Sequence, residues 1–287
     1  MKYFLFSLAI IALAGSPAHA TAAPLVNSRF DTPNIAQDIS SAGRLRLQSQ
    51  RLAKLYLQIG LGLNADTARR QLSRGSTQFD ADLFELSRYA RNTKTQRTLA
   101  RTGELWTELK AALTIAYGVE NMQRVNYLSD DLMIAAGKLV MQIEGEADTP
   151  IGRLLDLSSR QSMLAQRLAR LYLMARAGDT SRGRLVDMEQ ARKEFATALS
   201  ELSSARENSP ASREALDLAK TQWLFFENAI QELSRGESSN PQHVATTSER
   251  IMEVLDAVSA QYAQDYSAAS PANPSRLAGA GSSTRRN

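Results

Sequence analysis

The sequence contains no cysteine, which excludes disulfide bonds, thiolate nucleophiles and thiolate-held metals. Histidine is nearly as scarce. Of the two present, His19 belongs to the N-terminal leader and His243 falls in an expected turn behind Pro241. That leaves no ordinary ligand set for zinc or haem, and no cofactor or metal is expected. G-x-S-x-G, H-E-x-x-H and a phosphate-cradling glycine loop are missing as well, so the chain does not read as an enzyme. Runs of alternating β-branched residues are absent, so no strands are expected. Charge of one sign is also lacking. The formal +4 comes from Lys2 in the leader and from Arg276, Arg285 and Arg286 in an acid-free tail, which leaves the remainder neutral. Nucleic-acid binding needs clustered, unbalanced cations, so no nucleic-acid partner is expected.

One apolar run stands out, from Phe4 to Ala14 behind Lys2, followed by Gly15, Pro17 and Ala18-His19-Ala20. This is the layout of a secretory signal with a small-residue cleavage site, and residues 1–20 are expected to be removed. The run is shorter than the ~20 apolar residues of a membrane-spanning helix. Export without a lipid-attachment cysteine points to the bacterial periplasm.

From Ile35 to Tyr266 apolar residues recur at intervals of three and four among Ala, Leu, Gln, Glu and Arg, the pattern of amphipathic helices. Breaks at Gly60–Asp66, Asn92–Thr95, Tyr117–Asn121 and Gly145–Gly152 divide the first half into four helices, with Asp66 and Thr95 as candidate N-caps. Breaks near Gly178, Pro210 and Pro241 give the same count in the second half. The halves also align directly. Gln50-Arg51-Leu52-Ala53-Lys54-Leu55-Tyr56-Leu57 matches Gln166-Arg167-Leu168-Ala169-Arg170-Leu171-Tyr172-Leu173, an offset of 116 that also pairs Phe79 with Phe195. Trp106 then meets Trp223 at 117, and Ser129-Asp130 meets Ser248-Glu249 at 119. Offsets that change only at turns indicate an internal duplication. The expected fold is all-α: two tandem antiparallel four-helix bundles over 30–147 and 148–267, with a disordered tail over 268–287.

On a helical wheel Leu45, Leu52, Leu55, Tyr56 and Ile59 form the core stripe of the first helix. Arg44, Leu47, Arg51, Lys54 and Gln58 read as a solvated face, with Arg51 and Arg167 bracing helices through carboxylates. Arg46 belongs to neither group and lies in a strip of small residues with Ala42, Ser49, Gln50 and Ala53. The matching strip in the second half is Ser158, Ser162, Ala165, Gln166 and Ala169, with Ser162 at the arginine's position. Packed strip to strip, Arg46 would face hydroxyls and an amide without a carboxylate, and its planar fork would suit a small oxyanion. Spacing alone leaves open the commoner alternative, an arginine that is solvated or paired with a glutamate. Asp130, Asp131 and Glu249 read as a solvated acidic face, and Trp106 and Trp223 as packing residues.

The segment Ser41-Ala42-Gly43-Arg44-Leu45-Arg46-Leu47-Gln48-Ser49-Gln50-Arg51-Leu52-Ala53-Lys54 resembles the A-G-x-x-R-M-x-S-x-R-(L/I/M)-A-K signature of the PilJ-type domain. This is the periplasmic input domain of type IV pilus chemoreceptors, related to that of nitrate/nitrite sensor kinases. Ser159 to Arg170 resembles a degenerate copy, lacking the glycine and the second arginine. In the nitrate sensors the arginine at the position of Arg46 contacts nitrate between the first helices of a dimer. The resemblance therefore implies a ligand site of Arg46, Gly43, Ser49 and Gln50, completed in cis by Ser162 and Gln166 or by a homodimer partner. The function it implies is sensing of a small anion such as nitrate or nitrite and reporting to a membrane-bound sensor or transducer. The competing expectation is a helical interaction or scaffolding protein of the envelope without a small ligand.

Overall fold

A computed structural model describes residues 35–87, 92–146, 150–235 and 240–269, which all belong to one body. The segment expected to be a secretory signal and the tail beyond Ala269 lie outside the described residues. Eight helices and no strand occur among the described residues: α1 (Ile35–Gly60), α2 (Ala65–Ser87), α3 (Thr93–Leu113), α4 (Val119–Glu144), α5 (Pro150–Arg176), α6 (Arg182–Ser204), α7 (Pro210–Ser234) and α8 (Pro241–Ala269). The protein is all-α.

Local chemistry sets the helix ends, and it does so twice. After α1 the chain turns through Gly62 at φ +71°, with Leu63 N–H bonded to Gln58 C=O and Gly62 N–H to Ile59 C=O. After α5 the same pair of bonds runs from Asp179 to Met174 and from Gly178, at φ +103°, to Ala175. Both are glycine caps in which a left-handed residue lets the last carbonyls find donors. Asn92 caps α3 by accepting from Thr95 N–H, and Ser209 caps α7 ahead of Pro210 in the first turn. Thr95 is thus the residue served by the cap rather than the cap itself, and Asp66 sits within the first turn of α2.

Each set of four helices closes around a stacked aromatic pair. Phe79 and Trp106 lie 4.1 Å apart between ring centres, and Phe195 and Trp223 lie 4.2 Å apart, so the tryptophans are packing residues as expected. Inside the first set α1 packs on α2 and α4, and inside the second α5 packs on α6 and α8. Across the sets α1 lies along α5 and also touches α8. α1 and α5 run parallel: Gly43 abuts Ser159 at one level, and further along both Lys54 and Gln166 reach Ser248. The first helices of the two halves therefore form the central pair, with the halves side by side.

This placement corrects the expected solvated face of α1. Lys54 is fully buried, Leu47 and Gln58 are buried, and Arg51 is largely covered, because α5 and α8 pack over that side. Arg44 alone of the group keeps a half-open side chain.

The second half carries one conspicuous liability. Gln161, at the position of core residue Leu45, is fully buried with neither amide atom hydrogen-bonded. An unsatisfied buried amide costs about 1–3 kcal/mol. Gln161→Leu is expected to raise stability by about that amount, read from the denaturant midpoint, and an unchanged or lower midpoint would contradict it.

Candidate functional site

The α1–α5 seam is tightest at Gly43. A Cβ built there would lie 2.6 Å from Ser159 Oγ and 2.9 Å from Ser159 Cβ, so only glycine allows this approach. One turn on, the Arg46 side chain points back toward the start of its helix, as helical side chains do. It runs beneath Gly137 of α4, which leaves room for its Cδ, and ends against the first turns of α5. There Nη2 donates to Asp156 Oδ1 at 2.7 Å, to Asp156 C=O at 3.1 Å and to Ser159 Oγ at 2.9 Å.

Asp156 overturns the expectation that Arg46 meets no carboxylate. The pair is largely covered, with side-chain exposures of 7% and 19%. Burial pulls the Arg46 guanidinium below its usual value, and the Asp156 charge pulls it back. The match is incomplete, because Asp156 takes one nitrogen of the fork while Arg46 Nε is buried with no hydrogen-bond partner. A guanidinium offered a carboxylate normally engages it with two nitrogens. Beside the pair Glu144 has its carboxyl raised by burial and by the Asp156 charge, so a second acid leans on this arginine.

The other expected site residues divide. Gly43 abuts Ser159, a residue the sequence did not single out for the site and which accepts from Arg46. Ser49 is fully buried and donates to Arg46 C=O within its own helix. Gln50 and Gln166 are fully buried fasteners, each donating to a backbone carbonyl of its own half, Ser129 and Ser248 respectively, at 2.9 Å. Ser162 does not bond Arg46. It donates weakly to Asp256 of α8 at 3.5 Å.

The expected acidic surface is instead a set of cross-half ion pairs. Lys54 Nζ donates to Glu249 Oε1 at 2.5 Å, and Arg51 binds the same carboxylate through Nε and Nη2 at 3.0 and 2.6 Å. Burial acting on Glu249 by itself would raise its carboxyl, but Lys54 and Arg51 together outweigh that and hold it at about 2. The duplicate of this lock is Arg170 against Asp130 at 2.6 Å, with Asn126 as a further acceptor. In both, a cation of one half's first helix is held by the other half's last helix. Asp131 remains exposed as expected, and Arg51 does brace helices. Arg167, by contrast, has an unpartnered Nε. Sequence reasoning could have found the Glu249 lock, since the duplication pairs Lys54 with Arg170 and Asp130 with Glu249. It gave no signal for Asp156.

The parallel pair of first helices, each inside its own four-helix set, is joined through the buried Arg46. Residues 33–130, covering α1 to mid-α4, match the family described as type IV pili methyl-accepting chemotaxis transducer N-term, PilJ. That part of the chain is thus similar to a sensory and signalling input domain. No curated protein and no solved structure matches the chain. Among the described residues no helix is long and apolar enough to cross a membrane.

Proposed function

We propose that the protein is a periplasmic sensor of a small planar oxyanion, nitrate or nitrite in the first instance, that reports occupancy to a membrane-bound sensor or transducer. The observation that carries this reading is Arg46 Nε, a buried guanidinium donor with no partner beside a carboxylate that uses one nitrogen. Carboxylate and nitrate share a planar pair of oxygens, so an entering oxyanion could take both Nε and Nη2 and release Asp156. The second half, 148–267, acts in this reading as a degenerate PilJ copy. It supplies Asp156 and Ser159 in cis, so the site needs no second chain. Freeing Asp156 alters the first turns of α5, the helix that ties the halves together, and so gives occupancy a mechanical output.

Sodium nitrate is expected to raise the melting temperature of the purified protein relative to chloride at equal ionic strength, and Arg46→Ala to abolish the difference. Absence of any nitrate or nitrite shift in the unaltered protein would refute the ligand. A second reading, an envelope interaction protein without a small ligand, is favoured by an exposed apolar row on α4. Tyr127, Ile134 and Met141, spaced by seven, are 62–70% exposed. Capture of the same membrane protein with and without anion would support that reading over the sensor.

A further inference from the structure

The duplication makes each half a control for the other, and the two faces of the α1–α5 seam differ. On the α4 face the Arg46 side chain fills the space between α1, α4 and α5. The opposite face, between α1, α5 and α8, holds an open groove of about 360 Å³. Residue by residue the groove is made by shortening. Ser162 stands where the first half has Arg46, Ser259 where it has Val140, and Ala263 where it has Glu144. Asp256 stands at the position of Gly137, beside which the Arg46 side chain runs. The charge at this place is therefore reversed, with a carboxylate replacing a guanidinium.

Asp256, exposed at the groove's edge, lines it with Ser40, Gly43, Arg44 and Ser159, among apolar walls from Ala36, Leu47 and Leu155. It makes no ion pair among the described residues, and its hydrogen bond is the long one from Ser162. The neighbouring cations are committed elsewhere: Arg44 to Asp82 through two nitrogens, and Arg51 to Glu249. With Arg44 already neutralised by Asp82, the charge left over at this apolar groove is the Asp256 carboxylate, which matches a molecule of about ten heavy atoms carrying a positive head.

We infer that this groove is a second ligand site, for a small organic ammonium compound with an apolar body, and that Asp256 is its counter-ion. The inference does not rest on the oxyanion reading, since it uses the other face of the seam and the opposite charge. Two half-sites of one duplication have thus been specialised for different chemistry, one by keeping a long cation and the other by losing it and gaining an anion. An ammonium ligand would bridge α1, α5 and α8, two of which, α1 and α8, the Glu249 lock joins further along.

Isothermal titration of the full chain with phenethylammonium chloride is expected to show one saturable site with Kd on the order of 0.1–1 mM. Asp256→Asn should weaken it at least tenfold. Ser162→Arg should do the same by a different route. An arginine there, reaching back as Arg46 does, would enter the groove at the level of Ser40 and Gly43 and pair with Asp256. Asp131→Asn, at an exposed position of α4 away from the groove, should leave the affinity unchanged. Circular dichroism of each variant reports whether it is folded, and two independent variants guard against loss of one. The inference is overturned by any of four results: no saturable binding to the unaltered chain, retained affinity in folded Asp256→Asn, parallel loss in Asp131→Asn, or equal binding of benzoate.

Discussion

Glu249→Ala is expected to cost the protein about 3–5 kcal/mol, the penalty for leaving a buried cation without its partner. Lys54 is fully buried and Arg51 nearly so, and both direct their charge at this one carboxylate. Gln71 adds a fourth donor at 3.2 Å. With the carboxylate gone, Lys54 keeps Ser248 Oγ at 3.2 Å and must otherwise give up its proton or draw in water. The melting temperature should fall by roughly 10 °C, taking ~2–4 °C per kcal/mol for a chain of this size. Replacing both partners, Lys54→Met with Glu249→Leu, should recover most of the loss, because the desolvation of two ions is removed together with their attraction. A loss below about 1 kcal/mol in the single variant would mean that the pair is solvated and the packing of α8 against α1 is misjudged. The same lock sets an acid limit. The Glu249 carboxyl is held at about 2 when folded, against 4.5 ordinarily, so the unfolded chain binds more protons between those values. The stabilisation is fully present above about pH 4.5 and is lost as pH falls toward 2.

Asp156→Asn should have a double effect. Without ligand it leaves Arg46 buried beside an amide that neutralises nothing, and stability should drop by about 2–4 kcal/mol. Nitrate should then bind more tightly than to the unaltered protein, by tenfold or more, because the internal carboxylate no longer competes for Nη2. A tenfold change corresponds to about 1.4 kcal/mol, well within what releasing a covered ion pair can supply. Thermal denaturation across a nitrate series reads both effects at once: a lower starting temperature and a steeper rise. If the variant is destabilised but gains no sensitivity to nitrate or nitrite, Arg46–Asp156 is a structural pair and the sensor reading loses its site. If it is not destabilised, Arg46 is reaching solvent and the covered geometry is wrong.

How legible this molecule is in its sequence depends on the distance over which each feature is decided. The helix count, the breaks and the pairing of Phe79–Trp106 with Phe195–Trp223 follow from periodicity, turn residues and repetition. All of these are properties of short windows or of one window compared with another. The glycine caps at Gly62 and Gly178 repeat for the same reason. The wheel of α1 failed on Lys54, Leu47 and Gln58 because it assumes one buried face. In a helix enclosed by α2, α4, α5 and α8 a lysine can be fully buried if a carboxylate from 195 residues away meets it. The sequence singled out Arg46 as an arginine among small residues, and the structure puts the close approach of the two helices at Gly43. Asp156 was not visible. It lies outside the resembling motif, and the backward reach of a helical arginine brings it to a residue nearly two turns before its own level.

By itself the sequence determined that this is an all-α chain with one pattern written twice, a PilJ-type motif at the start of the first copy, and an arginine present in that copy but not in the second. These are set by local periodicity, capping chemistry and composition, which act within a few turns of helix. Only the tertiary structure decided that the two first helices run parallel at the centre. It also decided that Glu249 and Asp130 are crossed locks rather than a solvated face, that Arg46 already holds Asp156, and that the place without an arginine is an open groove carrying Asp256. Each of these depends on which surfaces meet across the α1–α5 seam, and burial and charge pairing there are settled between residues 40 to 198 positions apart.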